Sequence, residues 1–378
     1  MHDVIVMGGG MIGQAVAYYL TQAGARTLLL DRRDVGRATA AGAGILSPET
    51  NTRDPETWFD FARQSVALYP DLVQGLEAET PGATGYARCG LLLVAATEDE
   101  VEPFERAAER IFGRQRRRGE PAPADLREIT PAEAQRLFPP LAAVQRALLH
   151  TGAARVDGRG VAQALERVSQ RQGLQVRQVS VDRLALDGGR VAGVVAGGET
   201  HRAGAVVVAG GAWSPALGAQ VGLDLPVTPQ RGQIAHLRLR GQATEGWPVV
   251  NAFHGHYMVA WPDGRLVAGA TRETGSGFAP YLTAGGVGEV MREALRVAPG
   301  LAEAEMLETR VGLRPLSADG LPFLGPVSGV AGLFLATGHG PTGLTLGPLS
   351  GKVVAELALG QPASADWSAF SVERVVPR

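Results

Sequence analysis

Cysteine, excess charge of one sign and long apolar runs are all scarce in this sequence of 378 residues. Cys89 is the only cysteine, which excludes an intrachain disulfide and a cysteine-rich zinc site. The formal net charge at pH 7 is only −2, so the chain has neither a strongly basic surface nor an acidic tail. We therefore expect no nucleic-acid partner.

No stretch of about 18 or more consecutive apolar residues occurs, so we predict no transmembrane segment. The first residues, MHDVIVMGGG, run directly into a predicted strand, without the charged start and apolar run of a secretory signal. We expect a cytoplasmic protein, although peripheral membrane association stays open. The length predicts roughly two or three domains, large enough to bury a core without a disulfide or a metal.

Glycine, in contrast, is abundant: 51 residues, close to twice the usual share of roughly 7%. These glycines show no three-residue period, which excludes a collagen-like chain. Many of them stand where predicted strands end, and their spacing there is informative.

The strongest motif, GGGMIG, begins at Gly8 inside a predicted strand–helix–strand unit over residues 3–31. Gly8 allows a tight turn after the strand, Gly10 lets the backbone approach a pyrophosphate, and Gly13 lets helix and strand pack closely. The helix N-terminus offers N–H groups and a positive dipole end to the phosphates. Asp31, which ends the second strand, can accept hydrogen bonds from ribose hydroxyls. The motif predicts a dinucleotide site.

Three further segments are rich in glycine and other small residues. Residues 36–46 (GRATAAGAGIL) are nearly uncharged, so something flat could lie against their backbone. Residues 208–214 (VAGGAWS) and 337–345 (TGHGPTGLT) each follow or end a predicted buried strand. Glycine turns distributed in this way suit a long, extended ligand, so the pattern favours FAD over NAD.

The order of predicted strands indicates two interleaved domains. Strands that look buried on both faces occur at the start of the chain, near residue 205 and near residue 333, and antiparallel-looking segments lie between them. Other predicted elements are a helix over 57–79, a strand over 86–95 and a last helix over 348–359, beginning near Gly347.

Taken in order, these motifs resemble the D-amino acid oxidase family of flavoproteins, particularly its glycine oxidase and D-amino acid dehydrogenase members. The resemblance covers essentially the whole chain. Besides the segments above, it rests on residues 230–233 (QRGQ), 312–315 (GLRP), 319–325 (DGLPFLG) and 336–340 (ATGHG). Of these, the C-terminal segments are the most specific.

The resemblance implies a mixed α/β fold. A Rossmann-like FAD-binding domain of glutathione reductase type would be interleaved with a mixed-sheet substrate domain. The implied FAD domain comprises residues 1–85, 148–224 and 307–378, and the substrate domain comprises residues 86–147 and 225–306.

By the same resemblance, Arg314 of the GLRP segment pairs with a substrate carboxylate, and Tyr257 helps to hold it. A guanidinium matches a carboxylate bidentately and stays charged, which suits this role. Asp31 stands where the family more often has glutamate. The implied cofactor-binding residues are Gly8, Gly10, Met11, Ile12, Gly13, Asp31, Arg32, Ala38, Thr39, Ala43, Gly44, Ile45, Val181, Gly210, Trp213, His339, Gly340, Pro341, Thr342, Gly343, Leu344 and Thr345.

The implied activity is FAD-dependent oxidative deamination of a small amino acid: glycine, a D-amino acid or an N-methyl amino acid. Hydride would pass from Cα to flavin N5, the products would be an oxo acid and ammonia or an amine, and O₂ would reoxidise the flavin to give H₂O₂. Two alternatives stay open. One is a dehydrogenase that passes electrons to a quinone or a partner, and the other is an FAD-binding subunit without its own amine site. A homo-oligomer is compatible with the sequence.

His254, His256 and His339 do not predict a metal site, because no carboxylate or cysteine stands at ligand spacing. Monomeric sarcosine oxidases attach their flavin to a cysteine near the C-terminal turn, and this sequence has none there. We therefore expect non-covalent FAD and interpret Cys89 as a small core residue.

Overall fold

The computed structural model describes residues 1–52, 55–78 and 80–375. In these ranges the helices are α1 Met11–Gln22, α2 Glu56–Ala67, α3 Tyr69–Glu77, α4 Val101–Arg118, α5 Pro131–Leu137, α6 Gly158–Arg171, α7 Pro215–Gly218, α8 Ala284–Val297 and α9 Gly343–Ala358. The strands are β1 His2–Met7, β2 Thr27–Leu30, β3 Ile45–Leu46, β4 Ala87–Arg88, β5 Leu91–Ala95, β6 Leu126–Ile129, β7 Arg146–His150, β8 Ala154–Arg155, β9 Gln175–Arg177, β10 Val181–Asp187, β11 Arg190–Ala196, β12 Glu199–Val208, β13 Val227–Arg238, β14 Val249–Ala252, β15 Tyr257–Ala260, β16 Arg265–Gly269, β17 Glu273–Thr274, β18 Glu305–Ser317, β19 Phe323–Pro326 and β20 Leu333–Thr337. None of these helices combines the length and apolarity needed to cross a bilayer.

The first sheet is built from three separated parts of the chain, residues 2–30, 175–208 and 323–337. Its order is β10-β11-β12-β1-β2-β9, with β20 beside β12 and β19 beside β20. β1 is parallel to both β12 and β2, and β20 is parallel to β12. Because these strands are parallel, their carboxyl ends lie at the same edge of the sheet.

The second sheet has the order β17-β13-β16-β15-β14-β5-β7-β6, and β18 pairs antiparallel with β13 over nearly its whole length. β3, β8 and β4 form a third, small sheet with the order β3-β8-β4. The predicted mixed α/β fold class is confirmed, and the strands of the two large sheets alternate along the chain as interleaving requires. The boundaries given above for the two domains stay a prediction.

Helices α1 and α9 cover one face of the first sheet. Val16 and Leu20 of α1 and Val353 and Val354 of α9 are buried in one apolar cluster with the strands. The two helix backbones come close at Gly351, where a Cβ atom would overlap Ala15. This close crossing holds α1 and α9 against each other.

Two predicted elements are interrupted in the structure. The helix predicted over 57–79 is two helices that meet at Leu68, because Pro70 lies in the first turn of α3 and cannot continue the N–H ladder of α2; residue 79 lies outside the described residues. The strand predicted over 86–95 is divided at Gly90, whose φ of +77° turns the chain between β4 and β5.

The last helix begins at Gly343, so the prediction that it starts near Gly347 was wrong. Pro348, the first residue of the predicted range 348–359, lies inside α9, where it cannot donate to the carbonyl of Leu344. The buried hydroxyl of Tyr69 donates to that carbonyl instead, at 2.6 Å. A hydrogen bond from a distant helix therefore replaces the one that proline removes.

Candidate active site

One cavity lies along the edge where the carboxyl ends of β1, β2, β12 and β20 meet. It touches Gly8 after β1, Asp31 after β2, Gly210 after β12 and His339 after β20. Open α/β sheets bind nucleotides at this edge, where loops leave the strands and helix N-termini point. The cavity then continues to the second sheet.

Every residue predicted above to bind cofactor lines this cavity, except Gly13 and Thr342. Gly13 lies behind the wall, where a Cβ atom would overlap the carbonyl oxygen of Gly8, so it provides the predicted close contact between helix and strand turn. Gly8 itself has a φ of +105°, which favours glycine. The hydroxyl of Thr342 points back along the chain and donates to the carbonyl of His339 at 2.9 Å.

At the N-terminus of α1, one backbone N–H group is already hydrogen-bonded within the protein. The amide of Met11 donates to Oγ1 of Thr39 at 2.9 Å, so this N–H is not open to a phosphate as the sequence suggested. A Cβ atom on Gly10 would meet only that same hydroxyl, so the backbone here faces the cavity. Asp31 accepts from Nη1 of Arg37 at 2.8 Å, which orients its carboxylate beside the turn.

Near β10, the cavity is lined by Val181 and by several residues that the sequence did not single out: Val179, Ser180, Asp182, Leu217 and Gln220. The guanidinium of Arg32 lies 5.8 Å from the ring centre of Trp213, and both residues line this end. Leu217 belongs to α7 and Gln220 follows it, whereas Val179 and Ser180 precede β10, so only the folded chain brings them together.

His339 is buried in the cavity wall and is uncharged. Burial lowers the pKa of its ring to about 3. Nε2 lies 3.0 Å from the hydroxyl of Ser350, whereas Nδ1 has no hydrogen-bond partner among the described residues. A buried polar atom without a partner costs free energy, so it fits a cavity that receives a polar ligand. Together with the glycine-rich wall, it fits FAD.

Arg314, on β18, extends across its sheet partner β13. Its Nη1 donates to the carbonyl of Thr271 at 2.9 Å and lies 3.4 Å from Oε1 of Gln230. A Cβ atom at Gly232 would lie 2.5 Å from Cζ of Arg314, so the guanidinium lies directly over this glycine. Burial lowers the pKa of Arg314, but an arginine stays charged in proteins.

Tyr257 begins β15 and stands beside Arg314 in the same cavity. It is paired with Gly269 of β16, where a Cβ atom would lie 2.7 Å from the tyrosine hydroxyl. Burial raises the pKa of Tyr257, and the charges of Arg314 and Arg272 oppose this shift. Its phenol is therefore protonated at neutral pH and can donate a hydrogen bond. Both residues are half-buried.

A hydrogen-bonded group fixes the loop that holds Arg314. Oγ1 of Thr271 accepts from the amide of Gln233 at 3.0 Å and donates to Glu273 at 2.7 Å. Glu273 also accepts from Gln233 at 2.6 Å and from Nη2 of Arg231 at 2.6 Å. Burial acts to raise the pKa of Glu273, but these bonds outweigh it and lower the pKa. Thr271, and with it the carbonyl that Arg314 contacts, is held in place.

Sequence reasoning found Arg314 and Tyr257 but missed Gly232 and Arg272, which line the same end of the cavity. It also missed Gly269, which lies against the side chain of Tyr257. The QRGQ segment drew attention to residues 230–233, but nothing local shows that Gly232 makes room for a guanidinium.

Of the three histidines considered above for a metal, His254 and His256 do not line the cavity. His254 contacts Glu293 at 3.3 Å, and Nδ1 of His256 lies 3.1 Å from the carbonyl of His254. Across the described ranges, no three potential ligands of the His, Cys, Asp and Glu types are grouped as a metal would need. Cys89 does not line the cavity.

Comparisons with known proteins agree with this geometry. The family model described as FAD dependent oxidoreductase matches residues 3–357. Iminodiacetate oxidase from Chelativorans sp. BNC1 has a similar structure, with a TM-score of 0.92, 38% identity and coverage of 98% of both chains. Glycine oxidase from Geobacillus kaustophilus has a TM-score of 0.89 and 31% identity, covering 100% of this chain and 99% of its own. Glycine oxidase from Pseudomonas aeruginosa is 34% identical over 372 residues, 97% of this chain and 98% of its own.

The family model covers nearly the whole chain, and so do relatives above 30% identity. The cavity at the strand ends, its glycine-rich wall and the unpartnered nitrogen of His339 suit the cofactor of that family. This chain belongs to the family of FAD-dependent oxidoreductases.

Proposed function

We propose that this protein oxidises the Cα–N bond of a small amino acid, with O₂ as the final electron acceptor. The observation that carries the proposal is the presence of Arg314 and Tyr257 together, in the cavity that also runs along the dinucleotide edge of the first sheet. The similarity to glycine oxidases and to an iminodiacetate oxidase supports the same class of substrate.

In this proposal, Arg314 pairs with the substrate carboxylate. A guanidinium holds a carboxylate through two parallel N–H bonds, which fixes direction as well as distance. Tyr257 adds a third donor from β15. Three donors on two strands orient the rest of the substrate, and orientation of this kind lowers the barrier of the following step.

The charges near Arg314 favour a neutral amine. Among the described residues that line the cavity, the carboxylates are Asp31, Asp34 and Asp182, and these belong to the loops of the first sheet. The positive charge of Arg314 therefore acts on the bound substrate, where it lowers the pKa of the ammonium group and favours release of the proton to solvent. FAD held in this cavity would supply the acceptor for the hydride from Cα, and hydrolysis of the resulting imino acid by water would give an oxo acid and ammonia or an amine.

The test is anaerobic reduction of the purified, FAD-loaded protein by glycine, sarcosine, D-alanine, D-proline and iminodiacetate. We expect at least one of them to bleach the yellow colour, and air to restore it with release of hydrogen peroxide. Bleaching without peroxide would instead assign a dehydrogenase with another acceptor. If none of the amines bleaches the isolated chain, the proposal fails and an FAD-binding subunit without an amine site remains.

A further inference from the structure

We propose that Thr271 and Glu273 are positioning residues for substrate binding, because they hold the backbone carbonyl that orients the guanidinium of Arg314. This inference rests on the proposed function, in which Arg314 pairs with the substrate carboxylate. In the described part of the chain, neither Thr271 nor Glu273 lines the cavity, so both would act on the substrate only through Arg314.

Two acceptors of the protein face Nη1 of Arg314. The carbonyl of Thr271 accepts from this nitrogen at 2.9 Å, and Oε1 of Gln230 lies 3.4 Å from it. A guanidinium has five N–H donors in a planar fork, and those on Nε and Nη2 take no part in these two contacts. The edge formed by Nε and Nη2 is therefore available for a carboxylate as long as Nη1 stays at the Thr271 carbonyl.

Hydrogen bonds of Thr271 itself fix this carbonyl. The residue is fully buried, and its amide donates to the carbonyl of Gln233 at 3.3 Å. Its hydroxyl accepts from the amide of Gln233 at 3.0 Å and donates to Oε1 of Glu273 at 2.7 Å. Without the hydroxyl, Thr271 would be held by the longer bond of its amide, and its carbonyl would be less firmly directed at Arg314.

Glu273 is fully occupied by donors of the protein. Its Oε1 accepts from the hydroxyl of Thr271 at 2.7 Å and from Nε2 of Gln233 at 2.6 Å. Its Oε2 accepts from Nε and Nη2 of Arg231 at 2.9 and 2.6 Å. A carboxylate offers about four acceptor positions, and these bonds use them. Glu273 therefore has no acceptor left for a substrate ammonium group, and its contribution is to hold the Thr271 hydroxyl.

The second acceptor of Arg314 depends on the same segment. Nε2 of Gln230 donates to the hydroxyl of Thr274 at 3.0 Å. Gln230 is paired with Thr274, and Arg231 with Glu273, where β13 meets β17. Both groups that face Nη1 of Arg314 are thus fixed by residues 271–274.

Matched substitutions at position 271 test the role of the hydroxyl. Thr271→Val keeps the shape of the side chain without the hydroxyl, and Thr271→Ser keeps the hydroxyl. Propionate, titrated into the yellow holoenzyme and followed by flavin absorbance, measures the affinity of the carboxylate site. We expect Thr271→Val to weaken propionate binding about tenfold, because a bidentate pair depends on geometry, and Thr271→Ser to stay within about threefold of the wild type.

Glu273→Gln tests the carboxylate that holds this hydroxyl. We expect propionate binding to weaken about tenfold or more, because the amide replaces an acceptor oxygen by a donor. Thr21→Val is the matched control, since it removes a buried threonine hydroxyl that donates to the carbonyl of Ala17 outside the cavity. Its propionate affinity should equal that of the wild type. FAD content and thermal midpoint show whether each variant is folded.

A double-mutant comparison separates positioning from a general structural effect. If Thr271 acts through Arg314, Thr271→Val should not change the residual propionate affinity of Arg314→Ala. Equal losses in the wild-type and Arg314→Ala backgrounds would overturn the inference. With the amine that reduces the flavin best, Thr271→Val should raise KM about tenfold and change kcat less than about twofold, because the carboxylate contact is the same before and during the hydride step.

Failure of the inference and failure of the proposed function give different results. If Thr271→Val and Glu273→Gln bind propionate as tightly as the wild type while amines are oxidised, the inference is wrong and the proposed function stands. If propionate binding weakens as expected but no amine reduces the flavin, the proposed function fails and the positioning of Arg314 stands. A wild-type holoenzyme that binds no propionate would also overturn the inference.

Discussion

The guanidinium of Arg314 lies on the backbone of Gly232, so that a Cβ atom at position 232 would be 2.5 Å from Cζ and 2.6 Å from Nη1. The two residues are diagonal neighbours on paired strands, since Gln230 is opposite Arg314 and Gly232 is opposite Gly312. The guanidinium of Arg314, the proposed carboxylate-binding group, can therefore take this position only because residue 232 is a glycine.

Gly232→Ala should move Arg314 without removing its charge. We expect KM for the best carboxylated substrate to rise about tenfold or more, because a bidentate pair depends on geometry. FAD content should stay near the wild-type value. Gly288→Ala is the control, because position 288 lies in α8 with nothing within 4 Å of a Cβ atom. An unchanged KM in Gly232→Ala would contradict the proposed placement of the guanidinium.

Arg314→Ala should remove the carboxylate site itself. A charge-assisted bond contributes about 1.5–3 kcal/mol, so KM should rise roughly 10- to 150-fold. The affinity for methoxyacetate, an ether analogue of sarcosine that cannot be deaminated, should fall by a similar factor. Arg314→Lys keeps the charge but not the fork, and should recover only part of the loss. If the ligand affinity is unaffected while the protein loses stability, Arg314 has a structural role instead.

Tyr69→Phe tests how α9 tolerates Pro348. Removing the hydroxyl leaves the buried carbonyl of Leu344 without its donor, which should lower the free energy of unfolding by about 1–3 kcal/mol. Pro348→Ala in the same variant returns a backbone N–H four residues after Leu344 and should recover part of the loss. Denaturant unfolding of the two variants measures both effects. Equal stability of Tyr69→Phe and the wild type would refute this account.

Stability should fall as the pH is lowered through the acid range. Burial lowers the pKa of His339 to about 3, and burial together with the charge of Arg310 lowers that of His236 to about 4. In the unfolded chain both rings titrate near about 6.5, so unfolding takes up protons below that pH. Their contribution is complete above about pH 6.5 and is lost toward pH 3–4.

The thermal midpoint of the holoenzyme, followed from pH 7 to pH 4.5, measures this dependence. His236→Gln should show a weaker decrease than the wild type, because one fewer proton is taken up on unfolding. Carboxylates also destabilise the protein in acid, but they are common to both proteins, so the difference isolates the histidine. Parallel curves for the two proteins would show that His236 does not titrate as its burial implies.

The sequence alone predicted the features of the cofactor site that depend on one local segment. The turn at Gly8, the close contact of Gly13 and the acid Asp31 all lie within one strand–helix–strand unit, and the cavity is found where that unit predicts. The mixed fold and its interleaving could be read from the positions of buried strands. Arg314 and Tyr257 came from a family resemblance, and the structure brings them into one cavity.

The remaining features depend on contacts between distant segments. The start of α9 before Pro348 could not be predicted, because nothing local shows that Tyr69 supplies the hydrogen bond that this proline removes. Likewise, the hydroxyl of Thr39 occupies the amide of Met11 only because the chain folds back onto α1. No sequence motif marks Arg272, and its contact with Gly255 forms only in the folded chain.

The strand order of the first sheet also governs when cofactor can be captured. β1 lies between β2 and β12, and the edge of the site is completed only by β20 and the turn at His339. A nascent chain on the ribosome exposes the GGGMIG turn long before residues 333–345 exist. The cofactor cavity is therefore complete only when nearly the whole chain has been made, and a chain that stops before β20 has the GGGMIG turn without the wall that His339 provides.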